Sequence, residues 1–340
     1  MKRIGSYWLW IVAVCFLVLF PLCFHSLFYI NNMIDILIGA LFGVSLNLLI
    51  GYTGLLSLGQ NAFFGLGSYT MGVLLRQTSL GIPLTLLSLM FLGAVYAVFM
   101  GYFCTKLTKF YFAFLTLAFS QIIYIIIIKW TSLTGGQQGL IGGIPVPLIH
   151  LLPGLSVDIG PRLHFYYFTV VLVIGSFILC KAVVNSPFGW VLRSIRENAT
   201  RAQFVGINIR RYQIGIFVIS GIFTAVAGGL TALNISGAYP DHAEWIKGAD
   251  PIFMILIGGM KNFFGPVVGA GVMVFLNTFL TSHTRYASFF LGAVMIFIVS
   301  SARMGLLDYL FYQKGVFKGA SAKIRAMMRG REKKALEVGE

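Results

Sequence analysis

The sequence predicts an all-α, polytopic transmembrane helical bundle of eight to ten spans, and three observations predict it. Of the 340 residues, 58% are hydrophobic and only 10% charged, where a soluble domain carries about 25% charged residues. The apolar residues fall in runs of roughly 18 or more, the length of a helix that crosses a bilayer. The formal net charge of +15 collects on one face when the runs are laid alternately across a membrane.

The expected spans are 8–30, 33–51, 54–75, 82–105, 111–129, 164–184, 212–235, 249–260, 263–282 and 286–304. The first follows Met1-Lys2-Arg3 and is too long for a signal-peptide core. Without a small-x-small cleavage site it is expected to stay as an uncleaved span. The third holds Gly54, Gly59, Gly65, Gly67 and Gly72 and is expected to be broken. The eighth is short for a hydrocarbon core of about 30 Å and is expected to be a half-helix or re-entrant segment. Gly39 with Gly43, and Gly265 with Gly269, form GxxxG pairs expected to be packing faces. Asn61–Gly65 and Lys261–Gly265 share their wording, a weak hint of a repeat. Both run outward, which argues against an inverted pair.

With the N-terminus in the cytoplasm, the inner side takes 20 basic and five acidic residues and the outer side five of each. The tail 314–340 is a basic segment following a membrane-spanning domain over 1–313, expected to be cytoplasmic and to lie near anionic lipid. Its charge follows the topology, so a nucleic-acid partner is not expected. Cys15, Cys23, Cys104 and Cys180 form no CxxC pair and are expected to be small core residues. The five histidines have no acid at ligand spacing, so neither a metal site nor a cofactor is expected. Almost no ionisable residue lies in mid-span, which disfavours a proton- or sodium-coupled carrier.

Two loops are expected outside. Residues 130–163 are rich in Gly and Pro, with turn chemistry. Residues 236–250 hold Asp241, Glu244 and Asp250, either ordinary solvated charge or a landing surface for a basic partner.

Residues 186–206 stand apart on the inner side. Ser186-Pro187 is an N-cap followed by Pro at the first helical position. Phe188, Val191, Leu192, Ile195, Ala199, Ala202 and Val205 recur at helical spacing. Arg193, Arg196, Glu197 and Arg201 take the other side, and Glu197 is four residues from both Arg193 and Arg201. Gly206 is a natural stop. One amphipathic helix is expected, resting on the leaflet or transmitting force from a partner. No GxxxxGK[ST] nucleotide loop occurs, so an ATP motor would be another polypeptide.

Four blocks in order resemble branched-chain amino acid ABC-transporter permeases. They are NLLIGYTGLLSLGQNAFFGLGSY from Asn47, LTGGQQGLIGGIP (133–145), SPFGWVLRSIRENATRAQFVGIN (186–208) and ILIGGMKNFFGPVVGAG (255–271). The extra first span and the TGG…G loop resemble the LivM-type subunit. The resemblance implies a non-enzymatic permease in a bacterial inner membrane, with both termini cytoplasmic. It implies a second homologous permease subunit, two ATP-binding subunits and a periplasmic binding protein. Leu, Ile or Val would be the small-molecule substrate, with urea as the alternative from the same family. A stand-alone carrier or channel and a membrane scaffold are the alternatives from other classes. The segment 186–211 would be the ATPase-coupling loop, carrying Arg193, Arg196, Glu197, Asn198, Arg201 and Gly206. Ser57, Gln60, Asn61 and Ser68 supply polar groups beside the third span's glycines. They line the path or simply pack helices, and a broken helix there would expose backbone to a polar solute.

Overall fold

The computed structural model describes residues 15–309, apart from 25, 79, 108–109, 142, 145–148, 153–154, 158–159, 302–304 and 307–308. The tail 314–340 and the start of the first expected span lie outside the described residues. Helical residues 15–23 precede α1 (Leu27–Thr53), so the chain leaves the helix at 24, inside the expected 8–30 span. Then come α2 (Gln60–Gln77), α3 (Ile82–Cys104), α4 (Phe110–Lys129) and α5 (Arg162–Asn185). The inner segment forms α6 (Pro187–Glu197) and α7 (Ala199–Phe204). α8 (Ile209–Asn234), α9 (Asp250–Gly258), α10 (Gly265–His283) and α11 (Ala287–Ser301) complete the bundle. Between α4 and α5 lies a small antiparallel hairpin, β1 (Ile149–Leu152) with β2 (Leu155–Val157).

Among the described residues six helices are long and apolar enough to cross a membrane: α1, α3, α4, α5, α8 and α10. α1 and α8 are buried along most of their length, while less than half of each of the other four is buried. α3 and α4 expose large apolar side chains, Phe91, Phe110, Tyr111 and Phe114 among them, as helices of a membrane bundle do toward lipid or a neighbouring subunit.

Close backbone approach holds the centre together. A methyl group on Gly67 would sit 2.0 Å from the Ala225 carbonyl oxygen, and one on Gly228 would sit 1.9 Å from that of Phe64. Only glycine allows α2 and α8 to meet so closely, the small-residue logic of helix association in lipid. The two GxxxG pairs also pack: Gly43 lies against Pro266, and a methyl on Gly269 would sit 1.8 Å from the Met254 carbonyl oxygen. A polar clasp ties α1, α5 and α8 at the end away from α6. Asn234 Nδ2 donates to Asp35 Oδ1 (2.8 Å) and Arg162 Nη1 to Asn234 Oδ1 (3.1 Å).

Three expectations need correction. The third span begins with non-helical residues 54–59, because Gly54 takes φ +73° and ends α1. Cys15 and Cys23 are exposed rather than core residues, whereas Cys104 and Cys180 are buried. The two similar stretches differ in form: 61–65 lies within α2, while 261–264 is the turn before α10. The short eighth helix does occur as α9, only nine residues long.

Candidate coupling and translocation site

The inner segment is amphipathic but is not one helix. Asn198 takes extended angles (φ −156°, ψ 99°), and its Oδ1 accepts from the Arg201 N–H at 2.9 Å. Asn is a strong N-cap residue, so it ends α6 and starts α7. Ser186 caps α6, accepting from the Gly189 N–H. Leu192, Ile195 and Ala202 are buried. Phe204, Val205 and Trp190 are instead 88%, 78% and 63% exposed, which corrects the expected apolar role of Val205. Gly206 stops α7 at φ +85° with open space around its Cα. Beside it a cleft of about 540 Å³ is lined by Phe188, Val205, Gly206, Ile207, Asn208, Arg211 and Tyr212.

The arginines do not turn to Glu197, which is exposed and makes no ion pair among the described residues. They grip the end of α1 instead. Arg196 Nη1 donates to the Gly51 carbonyl oxygen. The Arg193 guanidinium stands 5.3 Å from the Tyr52 ring centroid and 5.1 Å from that of Trp190, a cation–π distance. Its Nη2 also reaches the Val184 carbonyl oxygen at 3.4 Å. Arg201 is exposed and serves only through its backbone. The physical reason is position: carbonyls at a helix C-terminus lack intrahelical donors and carry partial negative charge. A buried-side acceptor wins over a solvated carboxylate.

Past Gly54 the chain runs through 55–59 into the polar cluster. Ser57, Gln60, Asn61 and Ser68 are all at most 1% exposed. Gln60 Nε2 donates to Ser220 Oγ, whose own proton goes to the Ser45 carbonyl oxygen at 2.6 Å. Asn61 Nδ2 donates to the Ala243 carbonyl oxygen at 2.6 Å. Ser68 Oγ lies 2.9 Å from His242 Nδ1. Gln60, Asn61 and Ser68 therefore tie helices and loop together in this structure. Gln60 Oε1, Asn61 Oδ1 and Ser57 Oγ are buried without a partner. Each such group costs about 1–3 kcal/mol, and their gathering around one helix start asks for a functional reason.

A family model described as "Branched-chain amino acid transport system / permease component" matches residues 28–299. The chain belongs to this family. It is 27% identical over 302 residues to the high-affinity branched-chain amino acid transport system permease protein LivM of Escherichia coli (strain K12), covering 82% of this chain and 71% of that one. It is 24% identical over 273 residues to a probable branched-chain amino acid transport permease protein LivM of Methanocaldococcus jannaschii, covering 74% and 76%. The ribose import permease protein RbsC of Haemophilus influenzae is 24% identical over 133 residues, covering 37% and 40%. No solved structure matches. The permease is thus a multi-pass membrane protein, a component of an ABC system with other subunits.

Sequence reasoning missed Gly51 and Tyr52 as the seat of the arginines, and His242 and Ala243 as partners of α2. One signal was available for the second pair. Asn61, Gly65, Ser68 and Gly72 follow spacings of four, three and four, one face of a helix made of small or polar residues.

Proposed function

We propose that the permease carries branched-chain amino acids (Leu, Ile or Val) through the bacterial inner membrane as part of an ATP-driven importer. The single observation that carries this is the contact between the inner segment and the end of α1, one irregular stretch away from the buried polar cluster. The importer has two ATP-binding subunits, and residues 186–211 receive one of them, with Phe204, Val205 and the cleft beside Gly206 as the docking surface. Arg193 and Arg196 pass the displacement to Gly51 and Tyr52. Glu197, Asn198 and Arg201 shape the segment, Asn198 through its cap. Ser57, Gln60, Asn61 and Ser68 belong to the path. A second homologous permease subunit completes it, and a periplasmic binding protein delivers substrate. Domain 1–313 forms the permease, and the tail 314–340 lies in the cytoplasm with the N-terminus; the basic residues of the inner loops support this sidedness. ATP is hydrolysed by the partners and not by this chain.

A sugar is the second reading, since a ribose permease matches over 37% of the chain against 82% for LivM. Coverage favours the amino acid. Proteoliposomes holding the full complex should take up leucine only with ATP and the binding protein. Uptake by this chain alone would make it a carrier or channel. Competition by ribose or urea, but not by isoleucine, on the binding protein would change the substrate.

A further inference from the structure

The segment joining α8 to α9 packs one side against α2, while Asp241 and residues 245–247 stay exposed. It folds back at Ser236, whose φ of +51° is unusual for a residue with a side chain. Its start is pinned to the loop after α4, where the Leu140 N–H donates to the Ala238 carbonyl oxygen at 2.8 Å. From there it descends along α2. A methyl group on Gly72 would sit 3.5 Å from Ala238 Cβ. Ser68 meets His242, and a methyl on Gly65 would sit 2.5 Å from Ala243 Cβ. Asn61 Nδ2 donates to the Ala243 carbonyl oxygen, and Gly248 lies against its Oδ1, where a methyl would come within 2.9 Å. Asn61 to Gly72 spans about 16 Å of helix at 1.5 Å per residue, roughly half a hydrocarbon core of about 30 Å.

Irregular backbone at such depth is tolerated only where it is buried in protein or lines a watery passage. Here one side is buried against α2, while Trp245 and Ile246 on the other are 52% and 57% exposed. The face it covers is Asn61, Gly65, Ser68 and Gly72, flanked by Phe64, edge-on to the His242 ring, and by Tyr69, packed with Ala238 and Ala243; two side-chain hydrogen bonds and no ion pair hold the segment there among the described residues. What it covers also includes the orphaned Asn61 Oδ1. The amide is not misoriented, because Nδ2 faces a carbonyl that can only accept.

We infer that residues 236–250 are a gate at the end of the path opposite the coupling segment. When they withdraw, the α2 face of Asn61, Gly65, Ser68 and Gly72 becomes a wall along which substrate moves. The inference rests on the permease reading above. That wall offers an amide, a hydroxyl and glycine backbone but no charge. Such groups hydrogen-bond the ammonium and carboxylate ends of an amino acid without trapping it. Ser68 and Asn61 act as latches, and Ser236 marks the hinge.

The test is a metal bridge. Ser68→Cys places a thiol beside the native His242, and a thiolate with an imidazole binds a soft cation such as Cd²⁺. In proteoliposomes holding the whole complex, Cd²⁺ should cut leucine uptake by this variant at least tenfold. A chelator should restore it, and the wild type with its own cysteines should be indifferent. Uptake by Ser68→Cys that ignores Cd²⁺ would overturn the gate. A second measurement covers a variant that is inactive from the start. Spin labels at Gln77→Cys and Trp245→Cys, with Cys15 and Cys23 replaced by Ser, report the separation of segment and α2. The distance should change between nucleotide-free and ATP-trapped complexes. Identical distributions would overturn the gate, whereas a wild-type complex that moves no amino acid would overturn only the transport reading.

Discussion

Two segments touch the α1–α2 region from opposite ends, and they are built differently. The inner one, α6 and α7, lies at the surface and reaches α1 through two long arginine side chains. The other, 236–250, lies along α2 and meets it through glycine, alanine, serine and one amide, with Phe64 and Tyr69 packed beside them. Long charged arms on helix-end carbonyls make a directional attachment that transmits a push. Small residues with two uncharged hydrogen bonds, flanked by Phe64 and Tyr69, make a contact that parts without separating charges. The same region is therefore gripped at one end and lightly latched at the other, the arrangement an alternating passage needs.

The comparison breaks first at the α2–α8 seam, which both segments assume is rigid. Gly228→Val should abolish folded permease, since overpacking a well-packed core with side chains around it costs about 1–3 kcal/mol and here the obstacle is the Phe64 backbone. Detergent-solubilised yield and thermal stability check this. Gly175→Ala, in open space on α5, should leave both unchanged. Next, Gly65→Leu should force 236–250 off α2 while the seam stays intact. The complex should assemble, and coupled leucine uptake should drop about tenfold or more. Normal uptake would mean that the segment's seat on α2 is irrelevant.

The inner face gives a smaller effect. Phe204→Ser with Val205→Ser should weaken capture of the ATP-binding subunits about tenfold or more, because burying each apolar side chain contributes about 1.5–3 kcal/mol. Co-purification measures it, and undiminished capture would move the docking surface elsewhere. The smallest effect belongs to the clasp. Asp35→Asn keeps an acceptor for Asn234 but loses the charge, so thermal stability should fall by a cost of about 1 kcal/mol with uptake retained.

Much of the architecture was legible because lipid imposes long apolar runs and sidedness of charge. α3, α4 and α5 lie within two residues of their expected bounds. α9 was legible as too short to span. The break at 54–59 was legible from glycine density, though not its position at the start of the third span. The inner helix was legible as amphipathic, yet its division at Asn198 was not, because periodicity continues through a residue that prefers to cap. The Glu197 pairings failed for a related reason. Spacing along a helix records which side chains could meet, while the nearby carbonyls of α1 come from distant sequence. The descent of 236–250 was hidden because its acids suggested solvent. The small-residue face that receives it sits in another helix, so the two halves had no common pattern to read.

The central claim is that Arg196 carries motion from the motor subunits to the α1–α2 break. The most direct measurement is leucine moved per ATP hydrolysed by the Arg196→Ala complex, beside the wild type and Arg196→Lys. The account expects hydrolysis to persist, uptake to fall about tenfold, and Lys to recover part of it. Unchanged leucine per ATP in Arg196→Ala would contradict it.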